Sequence, residues 1–223
     1  MSISAPHQGF PAGAVGTLIL NLDALEATPL EQDPFDFLVV PNFVTPDALT
    51  KINWDYPDIA GPGNFKLEDL EYGAAFAALI AELSGPTLRD RVAAKFGVDL
   101  TGCQQTITVR RFSEQTDGCI HVDHRTKFIT MLLYFNEDWN STDGQLRFLR
   151  SADDIEDYAA EVPPLGGTML AFRRSDKSFH GHTPFVGERR MIQLAWVCEN
   201  TAVRVEKRLN RLSKPIRRLL NMS

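Results

Sequence analysis

The stretch HVDHRTK, residues 121–127, sets two imidazoles and a carboxylate within four residues. In an extended segment successive side chains alternate faces, so His121 and Asp123 project to one side and Val122 and His124 to the other. His121 and Asp123 can therefore reach one ion together. Two donors do not make a site. Apart from His7 and His124, the remaining histidines are His180 and His182, in SFHGHTPFVGERR, just before a turn and an apolar strand. Both have the same strand parity, so either could complete a set. Two histidines and one carboxylate with open positions form the facial triad that holds iron(II) for oxygen chemistry.

The strand RRMIQLAWV, 189–197, carries a second clue. One face holds Arg190, Ile192, Leu194 and Trp196, the other Arg189, Met191, Gln193 and Ala195. The first face is the more apolar and is expected to point into the interior. A guanidinium there cannot shed its charge and needs a planar anionic partner, best a carboxylate gripped by both arms of the fork. Arg190 is thus the expected clamp for the distal carboxylate of a keto acid whose other end chelates the metal. That keto acid is 2-oxoglutarate. A one-residue slip in the preceding turn would hand the role to Arg189.

These residues need a scaffold. FDFLVVPNF reads as a strand, and TPDALTKI as a helix start with Thr45 as N-cap and Pro46 in the first turn. LEDLEYGAAFAALIAELSG has helical composition, and PTLRDRVAAKFG is a second helix ending at Gly97. From Gln104 onward the period shortens: QTITVRRF, KFITMLLYF, QLRFL, GTMLAF and RRMIQLAWV are short strands separated by turn residues. The expected fold is mainly β, of α+β class, with a double-sheet jelly roll and helices packed outside it. The expected organisation is one domain over 1–223, with an N-terminal segment at 1–34 and a strand with supporting helices at 35–103. A catalytic core at 104–200 and a basic amphipathic helix at 201–223 complete it.

Charge and composition exclude several classes. The last 22 residues hold seven Lys and Arg against one Glu, so that tail is +6 and the rest −12, for the overall −6. A body that acidic is a poor partner for nucleic acid. The tail places Val205, Leu209, Leu212, Ile216 and Leu220 on one stripe, which suits contact with an anionic surface or docking on the acidic body. No apolar run approaches the length of a bilayer span. No Lys or Arg precedes Lys51, so the n-region of a secretory signal is missing. Three cysteines, Cys103, Cys119 and Cys198, are an odd number without a CxxC pair, which argues against a disulfide framework and a zinc site and for a reducing cytoplasm.

With these residues in view, the chain resembles the iron(II)/2-oxoglutarate-dependent dioxygenases, and among them the prolyl 4-hydroxylase-like branch. The resemblance runs from about Phe35 to Val197 and is sharpest in HVD, YFNEDW, DGQLRFL, PLGGTMLAF and HGHTPFVGERR. It implies a double-stranded β-helix core and selects His180, four residues before Pro184, as the distal ligand, making His121, Asp123 and His180 both metal ligands and catalytic residues. It implies Arg190, ten residues past His180, as the 2-oxoglutarate-binding cation, with Tyr134 beside it at the distal carboxylate. Asp143-Gly144 stands where the family often has Gly-Gly, and Phe112 or Arg111 where some members have a cosubstrate-side Tyr. The retained Asp123 argues against the halogenase variant of the family. The implied cofactors are iron(II), 2-oxoglutarate and dioxygen, with ascorbate a candidate auxiliary. The implied reaction is hydroxylation of an unactivated C–H bond of a prolyl, peptidyl or small-molecule substrate, with succinate and carbon dioxide as co-products. Two rivals stand beside it: a cupin-like metal-dependent isomerase or hydrolase, which has no use for Arg190, and a non-catalytic metal or 2-oxoglutarate sensor.

Overall fold

The computed structural model describes residues 19–198. The basic tail at 201–223 and most of the N-terminal segment lie outside them. Four helices occupy the first half: α1 (Leu22–Ala27), α2 (Pro46–Trp54), α3 (Ala74–Leu83) and α4 (Pro86–Phe96). Nine strands follow or intervene: β1 (Phe37–Val40), β2 (Phe65–Lys66), β3 (Gln104–Ser113), β4 (Lys127–Tyr134), β5 (Leu146–Leu149), β6 (Tyr158–Val162), β7 (Met169–Arg173), β8 (His180–Gly181) and β9 (Gly187–Val197). Among the described residues no helix is long and apolar enough to cross a membrane.

Six strands form an antiparallel sheet in the order β1-β7-β4-β9-β3-β2, and three form a second sheet, β6-β5-β8. β4 lies between β7 and β9, so both of its edges are paired, and its two faces pack into separate cores. Its odd-numbered residues Ile129, Met131 and Leu133 join Ile192, Leu194 and Trp196 of β9 in a core against Ile52, Phe76, Leu79, Leu83, Leu88 and Val92 of the helices. Its even-numbered residues Leu132 and Tyr134 join Met191, Leu170 and Phe172 in a second core against Leu146, Phe148 and Val162 of the smaller sheet. The second core is the interior of the jelly roll. Each fully buried Leu, Ile or Phe contributes about 1.5–3 kcal/mol, so the helical face secures the large sheet while the inner face is left partly polar.

The terminators act largely where the sequence puts them. Thr45 occupies the N-cap of α2 with Pro46 at its first position, and Gly97 closes α4 in the left-handed conformation at φ 60°. The helix expected from Leu67 is shorter. Leu67–Asp69 forms only a 3-10 turn and α3 begins at Ala74. Asp55 causes the break: its Oδ2 accepts the Ala75 N–H at 2.6 Å, and its carboxylate occupies the space where a Cβ on Gly73 would stand. The site of helix initiation is thus set by a residue 20 positions away. β6, which was not expected as a strand, is an edge strand with mostly half-buried side chains and no clean alternation.

The cysteine reading needs correcting. Cys103 and Cys198, which flank the paired ends of β3 and β9, form a disulfide, and Cys119 remains as an exposed free thiol. An odd count excludes complete pairing but not one bridge, so it no longer argues for a reducing compartment. The bridge closes a loop of 95 residues. On the chain-entropy estimate that constraint is worth about 4–5 kcal/mol. Reduction is therefore expected to lower the melting temperature by roughly 10–15 °C, while a Cys103→Ser/Cys198→Ser double variant should melt at the lower temperature and ignore reductant. Thermal melts of both proteins with and without dithiothreitol check this.

Candidate active site

The three expected ligands meet. His121 and His180 form an isolated antiparallel bridge, each backbone N–H donating to the other's carbonyl at 3.0 Å, and their rings lie 4.3 Å apart. β8 pairs on its other side with β5, Phe148 opposite His180, which fixes the second histidine to the small sheet. Asp123 enters from the segment leading to β4. One donor atom from each of His121, Asp123 and His180 lies within 4.8 Å of the others.

The neighbours prepare this set for a cation. His121 Nδ1 faces the Cys119 carbonyl at 2.9 Å and His180 Nδ1 the Ser178 carbonyl at 3.0 Å. A carbonyl can only accept, so both rings carry a proton on Nδ1, which leaves Nε2 as the nitrogen able to ligate. Burial, helped by the proximity of His121, lowers the His180 pKa to about 4, so this imidazole is neutral and able to ligate at physiological pH. Asp123 behaves oppositely. Burial favours its neutral form, yet Lys127, with Nζ 2.7 Å from Oδ1, and Thr130, whose hydroxyl donates to Oδ2 at 2.5 Å, outweigh it and hold the carboxyl below its usual range. The result is one carboxylate and two imidazoles, a donor set that fits iron(II).

A cavity of about 170 Å³ opens on this triad, lined also by Thr130, Leu132, Phe172, His182, Arg189 and Met191. Arg189 is its notable member. Only 2% exposed, it donates from Nε to the Gly144 carbonyl at 2.9 Å and from Nη2 to the Tyr134 hydroxyl at 3.2 Å, and its Nη1 lies 3.1 Å from the Met191 sulfur. None of these partners is anionic, and among the described residues no carboxylate forms an ion pair with it. A buried cation with only neutral partners leaves a large desolvation cost uncompensated. Tyr134 stands behind it, fully buried, with burial outweighing Arg189 to raise its pKa, so the phenol keeps a proton for an acceptor.

Arg190, the expected clamp, is elsewhere. Its Nε donates to Glu188 at 2.7 Å, its guanidinium lies over the Tyr56 ring, and it borders a surface pocket with Asn136, Glu137, Asp138 and Glu188. The strand parity was right and the choice of face was not. The apolar face of β9 meets the helices, and the more polar face carrying Arg189, Met191 and Gln193 lines the cavity. The guanidinium that faces the triad's cavity is therefore that of Arg189, nine residues past His180, and not that of Arg190.

His182 lines the cavity without joining the triad, its Nδ1 2.8 Å from the Thr183 carbonyl. His124 is exposed and bonds Thr126 at 2.8 Å. The role of Thr130 was missed in the sequence reading. It could have been found by counting back four residues from Tyr134 along the same strand face.

Residues 107–198 match the profile of the 2OG-Fe(II) oxygenase superfamily. In fold, the chain is similar to the crystal structure of a Pseudomonas putida prolyl-4-hydroxylase, at 18% identity and TM-score 0.52, over 80% of this chain and 97% of that one. A prolyl 4-hydroxylase from Phytophthora capsici aligns at 18% identity and TM-score 0.53, over 86% and 70% respectively. A prolyl hydroxylase from Trichoplax adhaerens, solved in complex with a hypoxia inducible factor oxygen degradation domain peptide fragment, aligns at 16% identity and TM-score 0.50, over 79% and 86%. No curated protein matches the sequence significantly. At these identities the shared property is the fold.

Proposed function

We infer that this chain, whose residues 107–198 match the 2OG-Fe(II) oxygenase superfamily profile, hydroxylates a C–H bond of its substrate at the expense of 2-oxoglutarate and dioxygen, releasing succinate and carbon dioxide. The observation that carries this reading is Arg189: a buried guanidinium without an anionic partner among the described residues, in the same cavity as two histidines and a carboxylate.

His121, Asp123 and His180 would hold iron(II), leaving positions for the keto acid and dioxygen. Iron(II) held there would supply oxygen activation coupled to decarboxylation of the keto acid. The chain's residues do the rest. The carbonyls of Cys119 and Ser178 orient the two imidazoles, and Lys127 and Thr130 keep Asp123 ionised and fixed. Arg189 would take the distal carboxylate of 2-oxoglutarate through its fork, with the Tyr134 hydroxyl donating a further hydrogen bond. That carboxylate would supply the counter-charge that Arg189 lacks. Leu132, Leu146, Phe172 and Met191 line the same cavity and limit water within it. Ascorbate would serve as an auxiliary reductant.

A cupin-like isomerase or hydrolase would have no use for a buried cation facing its metal, so Arg189 favours the oxygenase. The direct test loads the protein with iron anaerobically, adds 2-oxoglutarate and then oxygen, and measures succinate. Slow succinate formation in the absence of a second substrate is expected. Failure of 2-oxoglutarate both to bind and to turn over would overturn the reading, and binding without oxygen uptake would point to a sensor.

A further inference from the structure

The cavity contains a second set of charges that neither the triad nor Arg189 uses. Arg110 of β3 and Asp117, in the turn before His121, form an ion pair within its lining, and Asn64 adjoins them. The pair is largely withdrawn from solvent, with side-chain exposures of 11% and 20%.

The hydrogen bonds leave a particular remainder. Arg110 Nε donates to Asn64 Oδ1 at 3.0 Å, and Nη1 donates to Ser113 Oγ at 3.4 Å and to Asp117 Oδ2. Asp117 Oδ2 also accepts the Glu114 N–H at 2.9 Å. Arg110 Nη2, Asp117 Oδ1 and Asn64 Nδ2 therefore have no partner among the described residues. Asn64 is exposed, and neither Arg110 Nη2 nor Asp117 Oδ1 is sealed from solvent, since the buried side-chain polar atoms without partners among the described residues are Asn53 Oδ1 and Trp196 Nε1. Two donors and one anionic acceptor are thus available side by side.

The arrangement is held rigidly. The Tyr56 hydroxyl lies 2.7 Å from the Arg110 carbonyl and 3.0 Å from that of Met191, fixing β3 to β9 at this point. The turn bearing Asp117 is clamped to the strand of ligands: the His182 N–H donates to the Gly118 carbonyl at 2.9 Å, and a Cβ on Gly118, at φ +97°, would come within 2.3 Å of the His182 carbonyl oxygen. Only glycine suits that position.

An anion alone would gain Arg110 and be repelled by Asp117, and a cation alone would meet the reverse. A molecule bearing both charges one carbon apart is complementary to the pair. A residue inside a polypeptide offers only neutral amides in their place. We infer that Arg110, Asn64 and Asp117 form a subsite for a free α-amino acid, the carboxylate received by Arg110 and Asn64 and the ammonium by Asp117. The substrate hydroxylated would then be a free amino acid. This rests on the oxygenase reading and specifies its substrate class.

The test uses the full chain loaded with manganese(II), a redox-quiet paramagnetic substitute, plus 2-oxoglutarate. Proton relaxation is followed in an equimolar mixture of free amino acids, in the same mixture N-acetylated, and in the same mixture C-amidated. At least one free amino acid should be relaxed strongly, and either block should weaken its binding by at least about tenfold. Asp117→Asn should shift the preference between free and N-acetylated forms by about tenfold or more toward the acetylated one, an exchange of specificity that mere structural damage would not produce. Blocked amino acids or prolyl peptides binding as well as free ones, or an unchanged preference in Asp117→Asn, would overturn the inference. Failure of 2-oxoglutarate itself to bind is visible in the same spectra and would overturn the oxygenase reading, and this inference with it.

Discussion

Replacing Arg189 with leucine is expected to weaken 2-oxoglutarate binding by about 30- to 1,000-fold, the effect of removing one partner of a buried, hydrogen-bonded charge pair, or about 2–4 kcal/mol. Arg190→Leu should change it by less than about threefold, because its guanidinium pairs with Glu188 outside the cavity, where removal of a rim charge costs little. Isothermal titration of the metal-loaded proteins with 2-oxoglutarate measures both. Stability makes the prediction sharper. In the ligand-free protein Arg189 is a buried charge held by neutral groups, so its replacement removes an uncompensated desolvation cost as well as three contacts. The two nearly offset, and the ligand-free melting temperature should move by only a few degrees. Loss of ligand-induced stabilisation without loss of the fold would assign the cation to binding. Arg189→Lys retains the charge without the fork and should recover part of the affinity. Equal losses from Arg189→Leu and Arg190→Leu would contradict the assignment.

What could and could not be read from the sequence divides along physical lines. The candidate metal triad was legible because His121 and Asp123 are related by strand parity alone, and few other histidines were available to complete the set. The clamp was not, because β9 is covered on both faces. A strand with one wet face announces its interior by apolarity, but in β9 the most apolar face packs on helices and the cavity-lining face is the more polar one. Leu67–Leu70 looks helical in composition, yet Asp55 starts α3 at Ala74, a long-range contact that no local pattern contains. The Cys103–Cys198 bridge spans 95 residues and becomes visible only once β3 and β9 are known to pair. Arg110 and Asp117 looked like ordinary charges of a strand and a turn, and only the cavity gives them a common environment.

Asp123→Ala is expected to abolish iron retention and succinate formation. The carboxylate is the only anionic donor in the triad, and its loss leaves two imidazoles beside the Lys127 ammonium, a net positive surround for a divalent cation. Loss of an outer hydrogen bond to a metal ligand typically costs about 10- to 100-fold in metal affinity, so Thr130→Val should fall in that range and Asp123→Ala well beyond it. Asp123→Asn separates charge from shape. The amide retains an oxygen to accept from Thr130 and fills the same volume, so the fold should persist, while the lost charge and the unpaired Lys127 still oppose the cation. Manganese(II) titration followed by electron paramagnetic resonance, with circular dichroism as the control for folding, orders the variants. The expected order is wild type, then Thr130→Val, then Asp123→Asn and Asp123→Ala together at the bottom. Asp123→Asn binding manganese like the wild type would show that the ion does not depend on this carboxylate, and the triad would have to be redrawn.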